Sequence, residues 1–352
     1  MLNKKITQNQ FIIFSLSSLF LFFILAFFVI QEKQRPIAYA EEIYIPHKKI
    51  ETTKILIFGD MMLDRYVREK INKNGAEYPF ELIKNILFNN DIVVANAEGS
   101  FTSFDSVTVG KKNAPLNFTF DPALLPILKN LGFTLLGQSN NHTLNFGIKG
   151  FSQSTTSIIS VGLNYFGDPS NKNPTPYIKK INGEKIGFIA YNEFAYQGKD
   201  KIISTIKELK NQVSYLIVYP HWGEEYNLSF TSSQQKTAYE FIDAGADVII
   251  GMHPHVIEPL EIYNGKLIFY SIGNFIFDQA QTGPKTEGLA IKILLNKNLA
   301  IFEINPFFIK NAQAILMIDE NRQRVLNTLS KSVIIPENMR EEIATGTIKI
   351  MR

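Results

Sequence analysis

Five apolar runs of strand type each end in a cluster of Asp, Glu, Asn or His, and this pattern restricts the possible folds more than any other feature of the chain. The runs are Ile55–Phe58 before Gly59-Asp60, Ile92–Ala95 before Asn96-Ala97-Glu98, Phe133–Gly137 before Ser139-Asn140-Asn141-His142, Tyr215–Tyr219 before Pro220-His221-Trp222-Gly223-Glu224-Glu225-Tyr226, and Ala246–Ile250 before Gly251-Met252-His253-Pro254-His255. Amphipathic stretches of helical type lie at roughly 76–89, 121–130, 148–160, 200–211 and 232–244. Strands alternating with helices argue for an α/β domain. In open α/β sheets, ligands collect beyond the carboxyl ends of the strands. Carboxylates, an amide oxygen and imidazoles gathered there make a donor set for a first-row divalent cation.

Two hairpin signals interrupt the alternation. Asn182-Gly183 separates Tyr177–Ile181 from Lys185–Tyr191, and Asn264-Gly265 separates Leu260–Tyr263 from Lys266–Ser271. Asn-Gly suits a type I′ turn, in which both central residues take positive φ. Further strand runs follow near 288–295 and 299–304. Parallel crossovers mixed with antiparallel pairs predict two packed mixed sheets with helices outside. The tail beyond Pro336 is polar and gives no clear pattern.

An apolar share of 45% with 20% charged residues is globular composition. A net charge of +3, with no basic stripe interleaved with aromatics, speaks against nucleic acid as a partner. The absence of cysteine excludes disulfides, thiolate metal sites and cysteine nucleophiles. At the amino terminus, Lys4 and Lys5 precede Phe11–Ile30, which carries no charge. A helix of about twenty residues spans a hydrocarbon core of about 30 Å. The expectation is a single-pass cell-membrane protein: a cytoplasmic n-region at 1–10, a transmembrane signal anchor at 11–30 and a linker at 31–53, with the rest extracytoplasmic. The alternative is a signal peptide cleaved near Ala40, which gives a secreted protein. His47 falls in the linker and is assigned no role.

Each cluster has a bland reading beside the chemical one. His253-Pro254-His255 is either a pair of unrelated histidines or two imidazoles stiffened by the proline between them. His221 reads as a ligand, with Glu225 as a carboxylate that orients an imidazole; Trp222 is more simply a packing residue. Asp60 is a helix N-cap or, with Glu98, a carboxylate able to bridge cations ~3.5–4 Å apart. Asn141-His142 is a polar turn or an amide ligand beside a proton donor, Asn141 being preferred to Asn140 by its adjacency to His142.

Taken in order, Gly59–Arg65, Asn96-Ala97-Glu98, Asn140–Gly147, His221–Tyr226, Gly251–Val256 and Tyr270–Gln279 resemble the CapA family of capsule-synthesis proteins, associated with poly-γ-glutamate. The resemblance covers about 54–305 and implies a calcineurin-like metallophosphoesterase domain over 54–310, with a four-layer α/β/β/α sandwich and a C-terminal extension at 311–352. It implies that Asp60, Glu98, Asn141, His221, His253 and His255 hold one or two divalent ions of Mn, Fe, Zn or Mg type, with His142 as general acid. Arg65 would neutralise an anionic substrate oxygen. The implied function is a membrane-anchored, metal-dependent hydrolase of phosphoesterase type in surface-polymer synthesis. Its partners would be an anionic cell-surface polymer or its precursor, the membrane and subunits of a synthesis complex. The alternative is a non-catalytic, metal-containing assembly or polymer-handling subunit. Two departures stand out: Met62 replaces the histidine of the usual Asp-x-His, and Asn145 stands where the family commonly has Asp.

Overall fold

The computed structural model describes residues 20–21, 23–27, 52–111, 114–279, 282–332 and 334–352. The n-region, most of the 11–30 anchor, the Ala40 site and nearly all of the linker lie outside the described residues; residues 20–21 and 23–27 are helical. No described helix is long and apolar enough to cross a membrane. Residues from Ile50 to Arg352 form one compact unit.

That unit is an α/β fold built on two mixed sheets. The larger, nine-stranded sheet runs in the order Gln313–Leu316, Leu299–Lys310, Glu287–Leu295, Thr53–Met61, Ile92–Ala97, Leu135–Gly137, Asn164–Phe166, with Asn274–Ile276 added on Thr53–Met61 and Thr347–Met351 on Leu299–Lys310. Thr53–Met61 is parallel to Ile92–Ala97 and antiparallel to Glu287–Leu295. The six-stranded sheet runs Leu260–Tyr263, Lys266–Phe269, Val248–Ile250, Tyr215–His221, Glu184–Asn192, Tyr177–Ile181. Its two antiparallel pairs are the expected hairpins, with φ of 51° and 79° at Asn182-Gly183 and 49° and 72° at Asn264-Gly265.

Side chains alternate across a strand, so one apolar run serves two layers. Ile55 and Ile57 face Phe188, Ile217 and Ile250 in a core between the sheets. Leu56 and Phe58 point the other way, to Val67, Ile71, Leu125 and Ile158 of the outer helices. On the second sheet, Leu216 and Val218 meet Ile202, Ile206 and Phe241 of helices Lys199–Lys210 and Ser232–Ala244. Thr231 caps the latter with a capping box to Gln234. Both faces of both sheets are thus covered, which is why the strands read as continuous apolar runs.

Two expectations are corrected. The helix expected at 76–89 is a single turn at Tyr78–Phe80 and a short helix at Lys84–Leu87, and the true helix precedes it at Arg65–Asn74. Gly75, at φ 105°, ends that helix by donating its N–H to Ile71, and Pro79 bars a regular helix beyond. The tail is also no separate extension. Helices Asp319–Ser330 and Glu337–Thr345 and strands Gln313–Leu316 and Thr347–Met351 complete the fold, with Leu326, Ile343 and Ile348 fully buried in the inter-sheet core. The domain therefore runs to Arg352 rather than ending at 310. The apolar residues of the tail are few, but Val325, Leu326 and Leu329 share one helical face and Ile348 and Ile350 alternate correctly for a strand.

Candidate metal centre

Asp60 ends the first strand and pairs in register with Asn96 on one side and Asn274 on the other. It is fully buried. Its Oδ1 accepts from Asn96 Nδ2 at 2.7 Å and its Oδ2 from the backbone N–H of His253 at 3.0 Å. The second contact ties the His253-Pro254-His255 loop to the first strand. That loop is held in a rare backbone shape, His253 at φ 98° and His255 at φ 59°, a strain that persists only when surrounding contacts over-determine it.

The remaining residues converge on the same place. Asp60, Glu98 and His255 bring ligand atoms within 4.8 Å of one another, and so do Glu225, His253 and His255. His221 Nδ1 stands 3.7 Å from Asp60 Oδ1, while its Nε2 lies 3.1 Å from His253 Nδ1 and 2.9 Å from Asn141 Oδ1. His142 Nε2 and His255 Nε2 are each 3.7 Å from Glu98 Oε1. Asn141 faces His221, whereas Asn140 turns inward, donating to Asn96 Oδ1 and the Ala97 carbonyl. Arg65 opens its helix at φ 53°, pairs with Asp278 at 3.2 Å and lines the cavity that Glu98, His142 and His255 also line.

Amide neighbours fix the imidazole tautomers. Asn274 donates through Nδ2 to the Lys285 carbonyl, so its Oδ1 must accept from His255 Nδ1 at 2.8 Å, which leaves the His255 Nε2 lone pair toward Glu98. Asn145 Oδ1 accepts from the Phe118 N–H and from His142 Nδ1, which leaves His142 Nε2 directed at Glu98. Asn96 Nδ2 stands 3.2 Å from His221 Nδ1, which places the His221 proton on Nε2. For Nε2 to ligate, that proton must move to Nδ1, beside Asp60.

Burial opposes charge throughout the cluster. It pushes the Asp60 carboxyl up to about 7, against hydrogen bonds from Asn96 and His253. It raises Glu98 well above the ordinary range, with Asp60 and Glu225 adding repulsion. It holds His253 down at about 4 and His255 at about 3, and His221 far below its usual value, with neighbouring imidazoles adding to the effect. The decisive feature is Glu98: both carboxylate oxygens are buried and neither has a hydrogen-bond partner among the described residues. Natural interiors rarely leave such groups unpaired. Carboxyls that resist ionisation beside imidazoles that resist protonation fit a divalent cation, which favours the carboxylate and the neutral imidazole together.

Two participants escaped the sequence reading, and a third takes a further role. Asn96 and Asn274 orient His221 and His255, yet each is an uncharged amide inside a motif read for its titratable neighbours. Glu225, read as orienting an imidazole, groups with His253 and His255 as a candidate ligand. Trp222 is indeed buried packing, its Nε1 donating to the Tyr270 carbonyl at 2.8 Å. Replacing Asn274 with Ala is expected to weaken metal affinity by about 10- to 100-fold, as loss of a ligand-orienting group does. Titration of the purified variant with Mn²⁺ by calorimetry checks this; wild-type affinity would show that the His255 tautomer is set elsewhere.

Comparison with known proteins agrees with the motifs. Over 275 residues the chain is 30% identical to the PGA biosynthesis protein CapA of Bacillus subtilis, covering 72% of this chain and 71% of that protein. Over 301 residues it is 28% identical to the capsule biosynthesis protein CapA of Bacillus anthracis, covering 79% and 73%. Among solved structures, a hypothetical protein from Thermus thermophilus aligns with a TM-score of 0.43 at 14% identity, over 75% of this chain and 96% of that one. Residues 54–279, which span all six motifs, match the family of the bacterial capsule synthesis protein PGA_cap, and the chain belongs to that family.

Proposed function

We propose that this protein is a metal-dependent hydrolase of calcineurin-like metallophosphoesterase type, acting outside the cell membrane in the synthesis of a poly-γ-glutamate-like capsule polymer. The observation that carries the catalytic part is the unpartnered, buried Glu98 carboxylate amid Asp60, His142 and His255. The polymer context rests on the relatives' names. The location rests on Lys4, Lys5 and the uncharged run Phe11–Ile30. One or two divalent cations of Mn, Fe, Zn or Mg type, held by Asp60, Glu98, Asn141, His221, His253 and His255, supply an activated water and a polarised scissile group when bound.

The chain's own groups do the rest. In its protonated form His142 carries a second proton, on Nε2, its ring fixed by Asn145 and by Phe118, whose ring centroid lies 4.4 Å away. Arg65, steadied by Asp278, faces an anionic substrate oxygen. Burial holds His142 below its ordinary value of 6.5, against the Asn145 hydrogen bond, which pulls it the other way. A general acid of that kind loses its proton as pH rises through that lowered value, so turnover at saturating metal should fall from the acid side toward neutrality. His142→Ala is expected to cut Mn²⁺-dependent hydrolysis of phosphodiesters by about 100- to 10,000-fold and to flatten that limb, with metal content unchanged. Metal bound in both proteins with hydrolysis in neither would favour the second reading, a non-catalytic assembly or polymer-handling subunit. Met62 favours that reading: it stands where Asp-x-His would supply a ligand, and its side chain is buried in the core.

A further inference from the structure

Two cavities adjoin the cluster, each lined by at least one of its residues. One cavity, of about 240 Å³, is lined by Glu98, His142 and His255 together with Arg65 and Tyr226. A second, of about 360 Å³, is lined by Asn141, Phe194, Tyr196, Lys172 and Gln197. Asn141 and His142 are consecutive, so one short stretch of backbone separates the two cavities. Aromatic rings flank the imidazoles on both sides: Phe194 lies 4.3 Å from the His253 ring, and Tyr226 lies 6.1 Å from the His255 ring. Tyr196 is 97% exposed, a large ring held out at the rim of the second cavity with no packing role. The second cavity also carries Lys172 and amide side chains but no carboxylate among its described lining residues.

A terminal phosphate needs room on one side of the reacting atom only. We propose, resting on the hydrolytic reading above, that the bond cleaved is internal: a phosphodiester with a substrate unit in each cavity. The orientation follows from His142, which lines only the first cavity. Water oxygen bonds to phosphorus as the bond from phosphorus to the leaving oxygen breaks. The leaving oxygen takes the His142 proton, and the proton lost by water restores the imidazole. The alcohol departs through the Arg65 cavity, and the new monoester stays beside Phe194 and Tyr196. The unit held there is anionic or hydroxyl-rich, to suit Lys172 and the amides.

The test compares kcat/KM of the full chain, loaded with Mn²⁺, for bis(p-nitrophenyl) phosphate and p-nitrophenyl phosphate, in wild type and in Tyr196→Ala. The diester should be preferred by about tenfold or more, and Tyr196→Ala should lower the diester value by about two- to tenfold while leaving the monoester value within about twofold. A metal-dependent monoester preference, or equal losses on both substrates, would overturn this inference and leave the hydrolytic reading standing. Hydrolysis of neither ester by the metal-loaded wild type would overturn both.

Discussion

Glu98→Gln is expected to make the metal-free protein more stable at pH 8 and, in the same molecule, to abolish its stabilisation by Mn²⁺. Glu98 is fully buried, which is the chief reason its folded pKa lies well above 4.5, with repulsion from Asp60 and Glu225 added; its two oxygens lack hydrogen-bond partners among the described residues. A raised folded pKa means that its contribution is fully present below the unfolded value and is lost as pH rises through the folded one. Gln cannot ionise and escapes that loss, and its amide N–H groups find acceptor lone pairs on His142 or His255. Asp60 acts in the same direction between 3.8 and about 7. His253 and His255 act oppositely: their contributions are present above 6.5 and are lost as pH falls through about 4 and about 3. The variant should therefore melt higher than wild type in chelator at pH 8, and that gain should vanish near pH 4.5. Scanning fluorimetry with EDTA or Mn²⁺ at both pH values reads both effects. A variant that is less stable in EDTA at pH 8, or that keeps the wild-type Mn²⁺ response, would remove Glu98 from the centre.

The strands and the convergence of the site were legible for one reason. Runs such as Ile55–Phe58 and Tyr215–Tyr219 are apolar on both faces because both faces are covered, and polarity returns only where the strand leaves the sheet. Asp60, Glu98, Asn141, His221, His253 and His255 therefore announce themselves by position as well as by chemistry. What was hidden lacks one of those two marks. Asn274 and Asn96 have the position, but their amides do not titrate. Helix Arg65–Asn74 is almost wholly polar, with Val67 and Ile71 its buried residues, one turn apart, and it begins in the left-handed region at Arg65. The strand Thr347–Met351 is a five-residue piece whose alternation becomes decisive only once Leu299–Glu303 lies beside it. Long-range pairing of that sort is set by the partner rather than by local preference.

Gly59→Ala should collapse the fold and the site together. The strand Thr53–Met61 runs so close to the segment Ile272–Asn274 that a Cβ at position 59 would lie 1.9 Å from the Gly273 carbonyl oxygen and 3.1 Å from its carbon. Both are backbone atoms, so no side-chain rotation relieves the clash, and the two chain segments must separate. Overpacking typically costs about 1–3 kcal/mol when side chains can shift; with backbone on both sides the expected loss is about 3 kcal/mol or more, a fall in Tm of about 6 °C at least. The separation also pulls Asp60 from Asn274, its register partner, and so moves one carboxylate away from the amide that orients His255. Gly265→Ala is the control: it lies in a hairpin turn at φ 72° with nothing within 4 Å of the added Cβ, so it loses only the left-handed preference, about 1–2 kcal/mol, and leaves metal binding intact. Thermal melts in EDTA and Mn²⁺ titrations of both variants decide the matter. Equal destabilisation, or a Gly59→Ala protein that binds Mn²⁺ as wild type does, would show that the strand crossing does not set the geometry of the centre.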